Sequence, residues 1–232
     1  VRQSERSELY RDAILTLQLA GRVYECFCSR REIRESTQAP HGDLPDGAYP
    51  GTCRLLTAAQ RAVQMQAGRR PALRLRTERE RFVVHDLIAG RFEGGVDDVV
   101  LQRNDGVPAY NLAVVVDDAA QGVTDVVRGG DLLSSTPRQL LLQQLLGLPH
   151  PRYAHVPMVL APDGTRLAKR HGAVTLADLR ARGVSAGQVL SRLGASLGLC
   201  GGEEPVTAHD LVARFRIDEL PTQPWWLATA DL

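Results

Sequence analysis

Lysine is almost missing from this chain: of its 28 basic residues one, Lys169, is a lysine and every other is an arginine. Long apolar runs are missing as well. No stretch approaches the ~20 consecutive apolar residues of a membrane span, and no charged-then-apolar start reads as a secretory leader, so a cytoplasmic protein with no membrane partner is expected. Charge of one sign is not in excess, the formal net charge being +1. That excludes a global field that draws in nucleic acid and leaves any RNA contact to local basic patches. Cysteine is scarce, at four residues, but Cys26, Cys28 and Cys53 lie close together, and in a reducing compartment such a cluster reads as a metal site rather than as disulfides. The 232 residues suffice for one large domain or two small ones. The chain starts at Val1 without a methionine and enters a helical pattern almost at once, which is read as a fragment.

The one lysine carries a chemical implication. A lysine is a compact charge on a flexible stem, suited to following a phosphate that moves during a reaction, whereas the planar fork of arginine prefers a fixed bidentate partner. The stretch Arg166-Leu167-Ala168-Lys169-Arg170-His171-Gly172, launched by a turn at Pro162-Asp163-Gly164, is therefore a candidate phosphate-handling loop.

Periodicity supplies a coarse map. Tyr10, Ile14 and Leu17 make a helical stripe that Gly21 ends, with Ser4 or Ser7 as cap. Leu55 to Gln66 reads as a helix that cannot pass Pro71. Leu73 to Arg76, Phe82 to Asp86 and Asp98 to Arg103 alternate as strands, and Arg69, Arg70, Arg74, Arg76, Arg79 and Arg81 form either an RNA-facing strip or a solvated face. Pro108 to Asp118 reads as a helix carrying Tyr110, and Val123 to Arg128 as a buried strand running into Gly129-Gly130-Asp131. Open α/β sheets place ligands at such a strand end, which makes Arg128 and Asp131 site candidates. Thr136, Pro137 and Gln139 predict a capped helix start, and His155 to Leu160 a short strand. Thr175, Ser185 and Thr207 cap three helices of the last third, and Cys200 is read as a buried thiol.

Between Cys28 and Cys53 the chain has few apolar residues with which to hold a fold, and a tetrahedral zinc ion on the three thiolates supplies what packing does not. The fourth ligand is Tyr49, His41 or water, and spacing favours histidine because phenolate is an uncommon ligand.

The order of motifs resembles the second half of the catalytic domain of glutamyl-tRNA synthetases: Ala109-Tyr110-Asn111-Leu112, Asp117-Asp118, Thr124-Asp125-Val126-Val127-Arg128-Gly129-Gly130-Asp131, Ser134-Ser135-Thr136-Pro137-Arg138-Gln139, then Arg166-Leu167-Ala168-Lys169-Arg170. The last of these is similar to the Lys-Met-Ser-Lys-Ser loop of class I synthetases. The resemblance implies an α/β fold: a partial Rossmann-type catalytic domain with a zinc-containing insertion and a helical C-terminal segment. The expected segments are 1–105 with the zinc insertion, 106–160 with the second catalytic half, and 161–232 with the lysine loop and helices. Within the family the chain looks most like the short paralogues that act on queuosine of tRNA(Asp), because it ends soon after the lysine loop and because Cys26, Cys28, Tyr49 and Cys53 match their Cys-x-Cys and Tyr-x-x-x-Cys zinc pattern. That match moves the fourth ligand from His41 to Tyr49.

The resemblance implies further roles. Tyr110 and Arg128 match the glutamate pocket, Asp131 contacts the adenosine end of ATP, Met158 and Val159 fall where backbone groups meet adenine, and Lys169, helped by Arg166 and Arg170, meets the ATP phosphates. Asn111 departs from a frequent histidine, and Val114 from an asparagine of the full-length enzymes. The family's first half, with its His-Ile-Gly-His-type signature, has no counterpart in these residues, so the chain as written lacks part of the family's catalytic apparatus. The implied activity is a ligase: activation of glutamate with ATP and Mg²⁺, then glutamyl transfer to queuosine of tRNA(Asp) by a monomeric, zinc-containing protein. The alternatives are a truncated glutamyl-tRNA synthetase that charges tRNA(Glu) and a non-catalytic, zinc-stabilised tRNA-binding module.

Overall fold

A computed structural model describes residues 1–36, 48–78, 80–166 and 175–227; His41, Arg79, Lys169 and Arg170 lie outside them. The chain divides into two compact units, one of Val1–His85, Arg91–Val126 and Ser134–Arg152, the other of Asp86–Gly90, Val127–Leu133 and Tyr153–Leu232.

In chain order the first unit begins with α1 (Ser7–Leu19), β1 (Val23–Cys26), α2 (Arg30–Ser36), α3 (Ala58–Gln66) and β2 (Ala72–Leu75). It continues with β3 (Arg81–Asp86), β4 (Gly90–Gly95), β5 (Val100–Gln102) and α4 (Tyr110–Ala120). After β6 (Asp125–Gly129) comes α5 (Thr136–Leu146). The stripe of α1 buries Tyr10, Ile14 and Leu17, and with Leu75, Leu101, Leu112, Val115 and Leu142 it makes one core cluster. An antiparallel sheet of order β1-β2-β5 sets Val23 opposite Leu75 and Cys26 opposite Ala72. The sequence pattern passes over β4 because Gly90, Gly94 and Gly95 break it. Gly94 is required there, since a Cβ would lie 2.9 Å from the Pro137 ring.

Several local expectations change. Arg6, not Ser4 or Ser7, precedes α1, without a side-chain cap. Thr136 is the first residue of α5 rather than its cap, and Gln139 forms no capping box; its buried amide donates to Asn111 Oδ1 at 3.1 Å. A 3-10 segment, Gly130–Ser135, runs straight into α5 and leaves no extended residue to act as cap. The strand expected from Val123 starts at Asp125 and is not buried, Val127 being 63% exposed. Of the arginine strip, Arg74 is buried, while Arg69 pairs with Glu32 and Arg81 with Glu93.

The second unit takes in the ends of β3 and β6, then β7 (Arg152–Val156), β8 (Val159–Leu160), α6 (Leu176–Ala181), α7 (Ala186–Ser196), α8 (Ala208–Arg214) and β9 (Trp225–Trp226). The expected His155 to Leu160 strand is thus two strands. Asp86 pairs with Tyr153 in parallel, as Val159 does with Trp225, in contrast to the antiparallel pairing of β1, β2 and β5. Ile88, Ala154 and Leu220 are the buried centre of this unit, joined by Val156, Leu197 and Ile217. Thr175, Ser185 and Thr207 each form a reciprocal capping box with the residue three positions on. Cys200 is half-buried rather than buried. No described helix is long and apolar enough to cross a membrane.

Candidate functional site

The first unit brings Cys26, Cys28, Cys53 and Tyr49 together. β1 delivers Cys26 at its buried end, and Gly51, at φ +89°, permits the turn that carries Cys53 back to Tyr49. The three Sγ atoms lie within 4.8 Å of one another. Cys28 Sγ stands 3.5 Å from Cys53 Sγ, and the Tyr49 hydroxyl 3.3 Å from Cys26 Sγ and 3.6 Å from Cys28 Sγ. Sulfur at ~2.3 Å and oxygen at ~2.0 Å from one tetrahedral zinc ion are separated by roughly 3.5–3.8 Å. The donor set and its spacing therefore fit a closed, four-ligand zinc site with no open position. Without a metal, the hydrogen bond from Cys28 pushes Cys26 down against the cost of burial, while Cys28 rises in turn. Burial pushes the Tyr49 phenol up.

Two buried acids anchor this cluster, and neither was singled out in the sequence. Asp97 accepts the Tyr49 amide at 2.9 Å and pairs with Arg138 at 2.6 Å. Asp98 accepts the Tyr24 hydroxyl at 2.7 Å, the Thr77 amide and hydroxyl at 2.9 Å each, and Arg54 at 3.1 Å. The Arg74 guanidinium lies 3.8 Å over the centre of the Tyr49 ring. Partners in this set are up to 74 residues apart, so no local spacing reveals them. Their only mark in the sequence is two adjacent acids before a strand.

The second unit holds Arg128, Asp131 and Arg166. Arg166 and Asp131 form an ion pair. Between Arg128 and Asp131 two glycines make room: a Cβ on Gly129 would come 2.6 Å from Asp131 Oδ1, and one on Gly130 3.2 Å from the Val156 carbonyl. Arg128 Nε donates to His155 Nε2 at 3.0 Å, and its guanidinium lies 5.3 Å from the centre of the Tyr153 ring. His155 Nδ1 in turn faces Asp86 Oδ2 at 2.5 Å, with both side chains wholly buried. Burial pushes His155 down despite its acid partner. Burial alone would raise Asp86, but the hydrogen bonds from His155, Ala89 and Ile88 outweigh it and hold the carboxyl below the usual range. The mark that Asp86 and His155 carry in the sequence is an aspartate and a histidine within apolar strands. The Met158 carbonyl accepts the Trp225 amide at 3.0 Å. Tyr110 belongs to the first unit, where it opens α4 and is 56% exposed.

All of the chain, residues 1–232, matches the family model for the catalytic domain of class I tRNA synthetases (E and Q). It is 59% identical to the glutamyl-Q tRNA(Asp) synthetase of Nocardia farcinica, over 99% of this chain and 72% of that protein. It is 51% identical to the protein of the same name from Symbiobacterium thermophilum, over 96% of this chain and 70% of that one. Among solved structures, a glutamate tRNA ligase from Elizabethkingia meningosepticum superposes with a TM-score of 0.77 at 23% identity; the match covers 99% of this chain and 52% of that one, about half its length. At that identity the likeness concerns the fold.

Proposed function

This chain belongs to the class I tRNA synthetases for glutamate and glutamine, a family of ligases, and on that premise we propose that the protein it is part of activates glutamate with ATP and transfers the glutamyl group to queuosine in tRNA(Asp). The observation that carries the finer reading is that relatives 59% and 51% identical share the name glutamyl-Q tRNA(Asp) synthetase. The segments 1–105, 106–160 and 161–232 then serve as zinc insertion, second catalytic half and lysine loop with helices.

In this reading Arg128 grips the side-chain carboxylate of glutamate, a group that its planar fork matches bidentately, and Tyr110 assists. The α-carboxylate of glutamate attacks the α-phosphorus of ATP, the bond to the bridging oxygen breaks, and pyrophosphate leaves. No covalent nucleophile of the protein is required; catalysis is positioning plus stabilisation of charge on the transferring group. Asp131, held by Arg166, faces the adenosine end, and Lys169 with Arg170 follows the departing pyrophosphate. Mg²⁺ accompanies ATP as its counter-ion. Cys26, Cys28, Cys53 and Tyr49 would hold zinc, which with four protein ligands supplies folding energy rather than chemistry.

Two measurements test this. Lys169→Arg should lower the rate of ATP–pyrophosphate exchange at least about tenfold while glutamate binding changes little, and an unchanged rate would remove Lys169 from the mechanism. Offering the full-length protein tRNA(Asp) with and without queuosine, and tRNA(Glu), reads the acceptor. Charging of tRNA(Glu) would favour the glutamyl-tRNA synthetase alternative, and salt-sensitive tRNA binding without pyrophosphate exchange would favour a non-catalytic module.

A further inference from the structure

The nitrogen of Arg128 that meets His155 is Nε, whose hydrogen is always a donor. His155 Nε2 must therefore be an acceptor and carry no proton. The single ring proton of the neutral imidazole then sits on Nδ1, donated to Asp86 Oδ2 at 2.5 Å. Asp86 is itself fixed by backbone donors. Its Oδ1 accepts the amides of Ala89 at 2.8 Å, Ile88 at 3.0 Å and His155 at 3.0 Å. The Tyr153 ring stacks beside His155, with centroids 6.1 Å apart and planes 16° from parallel. Among the described residues, Asp86 from the end of β3 and Arg128 from β6 are charged groups acting on the His155 ring, and the titratable Tyr153 ring lies beside it.

Such a chain of bonds has one consistent proton arrangement. An arginine grips a carboxylate either end-on, through its two Nη atoms, or side-on, through Nε and one Nη. The bond to His155 occupies Nε and takes the second mode away. We propose that Asp86 and His155 are positioning residues that lock one imidazole tautomer, and through it hold the Arg128 guanidinium for an end-on grip on the substrate carboxylate. This rests on the reading of Arg128 as the glutamate anchor. Protonating His155 would set an N–H against the Arg128 N–H and a positive charge beside another, so acid should release the guanidinium.

Asp86→Asn separates positioning from packing. The new amide oxygen takes the place of Oδ1, which three backbone N–H groups require, so the NH₂ falls opposite His155 Nδ1. It donates there and drives the ring proton to Nε2, against Arg128; the same inversion of tautomer follows when the acid behind any general-base histidine becomes an amide. In ATP–pyrophosphate exchange with the full-length protein, Asp86→Asn and His155→Leu should each raise the glutamate KM about tenfold, the loss of one charge-assisted bond. The ATP KM and the saturated rate should stay within about threefold. His155→Gln, which restores an acceptor, should recover most of the loss. In the parent protein the glutamate KM should rise as pH falls below 6.5, and that rise should be absent in His155→Gln. Nitrogen NMR of the ring should show Nδ1 protonated in the parent and Nε2 protonated in Asp86→Asn.

Arg128→Lys provides the control. If it leaves the glutamate KM unchanged, the reading of Arg128 fails, while the ring NMR still decides the tautomer lock. If it raises KM but Asp86→Asn does not, or if Nε2 is protonated in the parent, the positioning proposal is overturned and the anchor reading stands. Should His155→Leu fail to fold, Asp86→Asn, which keeps Oδ1 as acceptor for all three backbone amides and loses only the second bond from the His155 amide to Oδ2, carries the test.

Discussion

Replacing Tyr49 by phenylalanine removes one oxygen from the cysteine cluster and little else. The ring stays beneath the Arg74 guanidinium, 3.8 Å from its centre, and the Tyr49 amide keeps its bond to Asp97. What disappears is the acceptor of the buried Cys53 amide at 2.8 Å and the atom 3.3 Å from Cys26 Sγ. An unsatisfied buried amide costs about 1–3 kcal/mol, which for a chain of this size lowers the melting temperature by about 2–4 °C per kcal/mol. If the phenol oxygen is also the fourth zinc donor, its loss opens a coordination position to water and lowers zinc affinity by roughly tenfold or more. The assay is competition with a chromophoric chelator, combined with metal content by mass spectrometry and melting curves with and without chelator. The variant should melt lower than the parent in zinc, and the two curves should converge once zinc is stripped, apart from the amide term. Equal zinc affinity in parent and variant would refute Tyr49 as a ligand. Equal affinity in a Cys26→Ser variant would refute the metal site altogether.

Three further outcomes follow from the same geometry. Asp98→Ala strands the Tyr24 hydroxyl, the Thr77 amide and hydroxyl and the Arg54 charge, and should cost roughly 3–5 kcal/mol in denaturant unfolding; a cost under about 1 kcal/mol would show that water replaces the carboxylate. Acid should destabilise the protein in two stages. His155 lies below its ordinary value of 6.5, so its contribution is whole above 6.5 and is lost as pH falls from there through its folded value. Asp86 and Asp117 lie below their ordinary 3.8, so theirs is whole above 3.8 and is lost as pH falls through their folded values. Unfolding midpoints across pH check both signs, and His155→Gln should erase the first stage. Gly129→Ala must displace the Asp131 carboxylate, which a Cβ would meet at 2.6 Å. It should raise the KM for ATP severalfold, about 1 kcal/mol, with the glutamate KM little changed, and an unaltered ATP KM would take Asp131 out of the adenosine site.

The parts of this molecule legible in its sequence are those whose partners sit within one turn. The boxes at Thr175, Ser185 and Thr207 join residues three apart, and the α1 stripe needs only the helical period. Thr57 and Gln60 form the same box, three positions apart. The match of Thr136 to that pattern misled, because the preceding 3-10 segment changes the backbone that a cap requires. The Cys-x-Cys pair with Tyr-x-x-x-Cys was visible as residue types at telling spacings, and the fold adds that their four donor atoms converge.

What the sequence by itself determined is the family, the capped helix starts at Thr175, Ser185 and Thr207, and the identity of the chemistry-bearing residues, since all of these are written in residue type and short spacing. Tertiary structure alone decided what holds those residues still. Asp97 and Asp98 brace the thiol cluster from 48 to 74 positions away, and Asp86 sets the proton on a histidine 69 positions further on. Lone acids at such separations carry no periodic mark, and only chain closure brings them into reach. Burial then does the rest, because an acid removed from water must find donors, and those donors become fixed by the acid they satisfy.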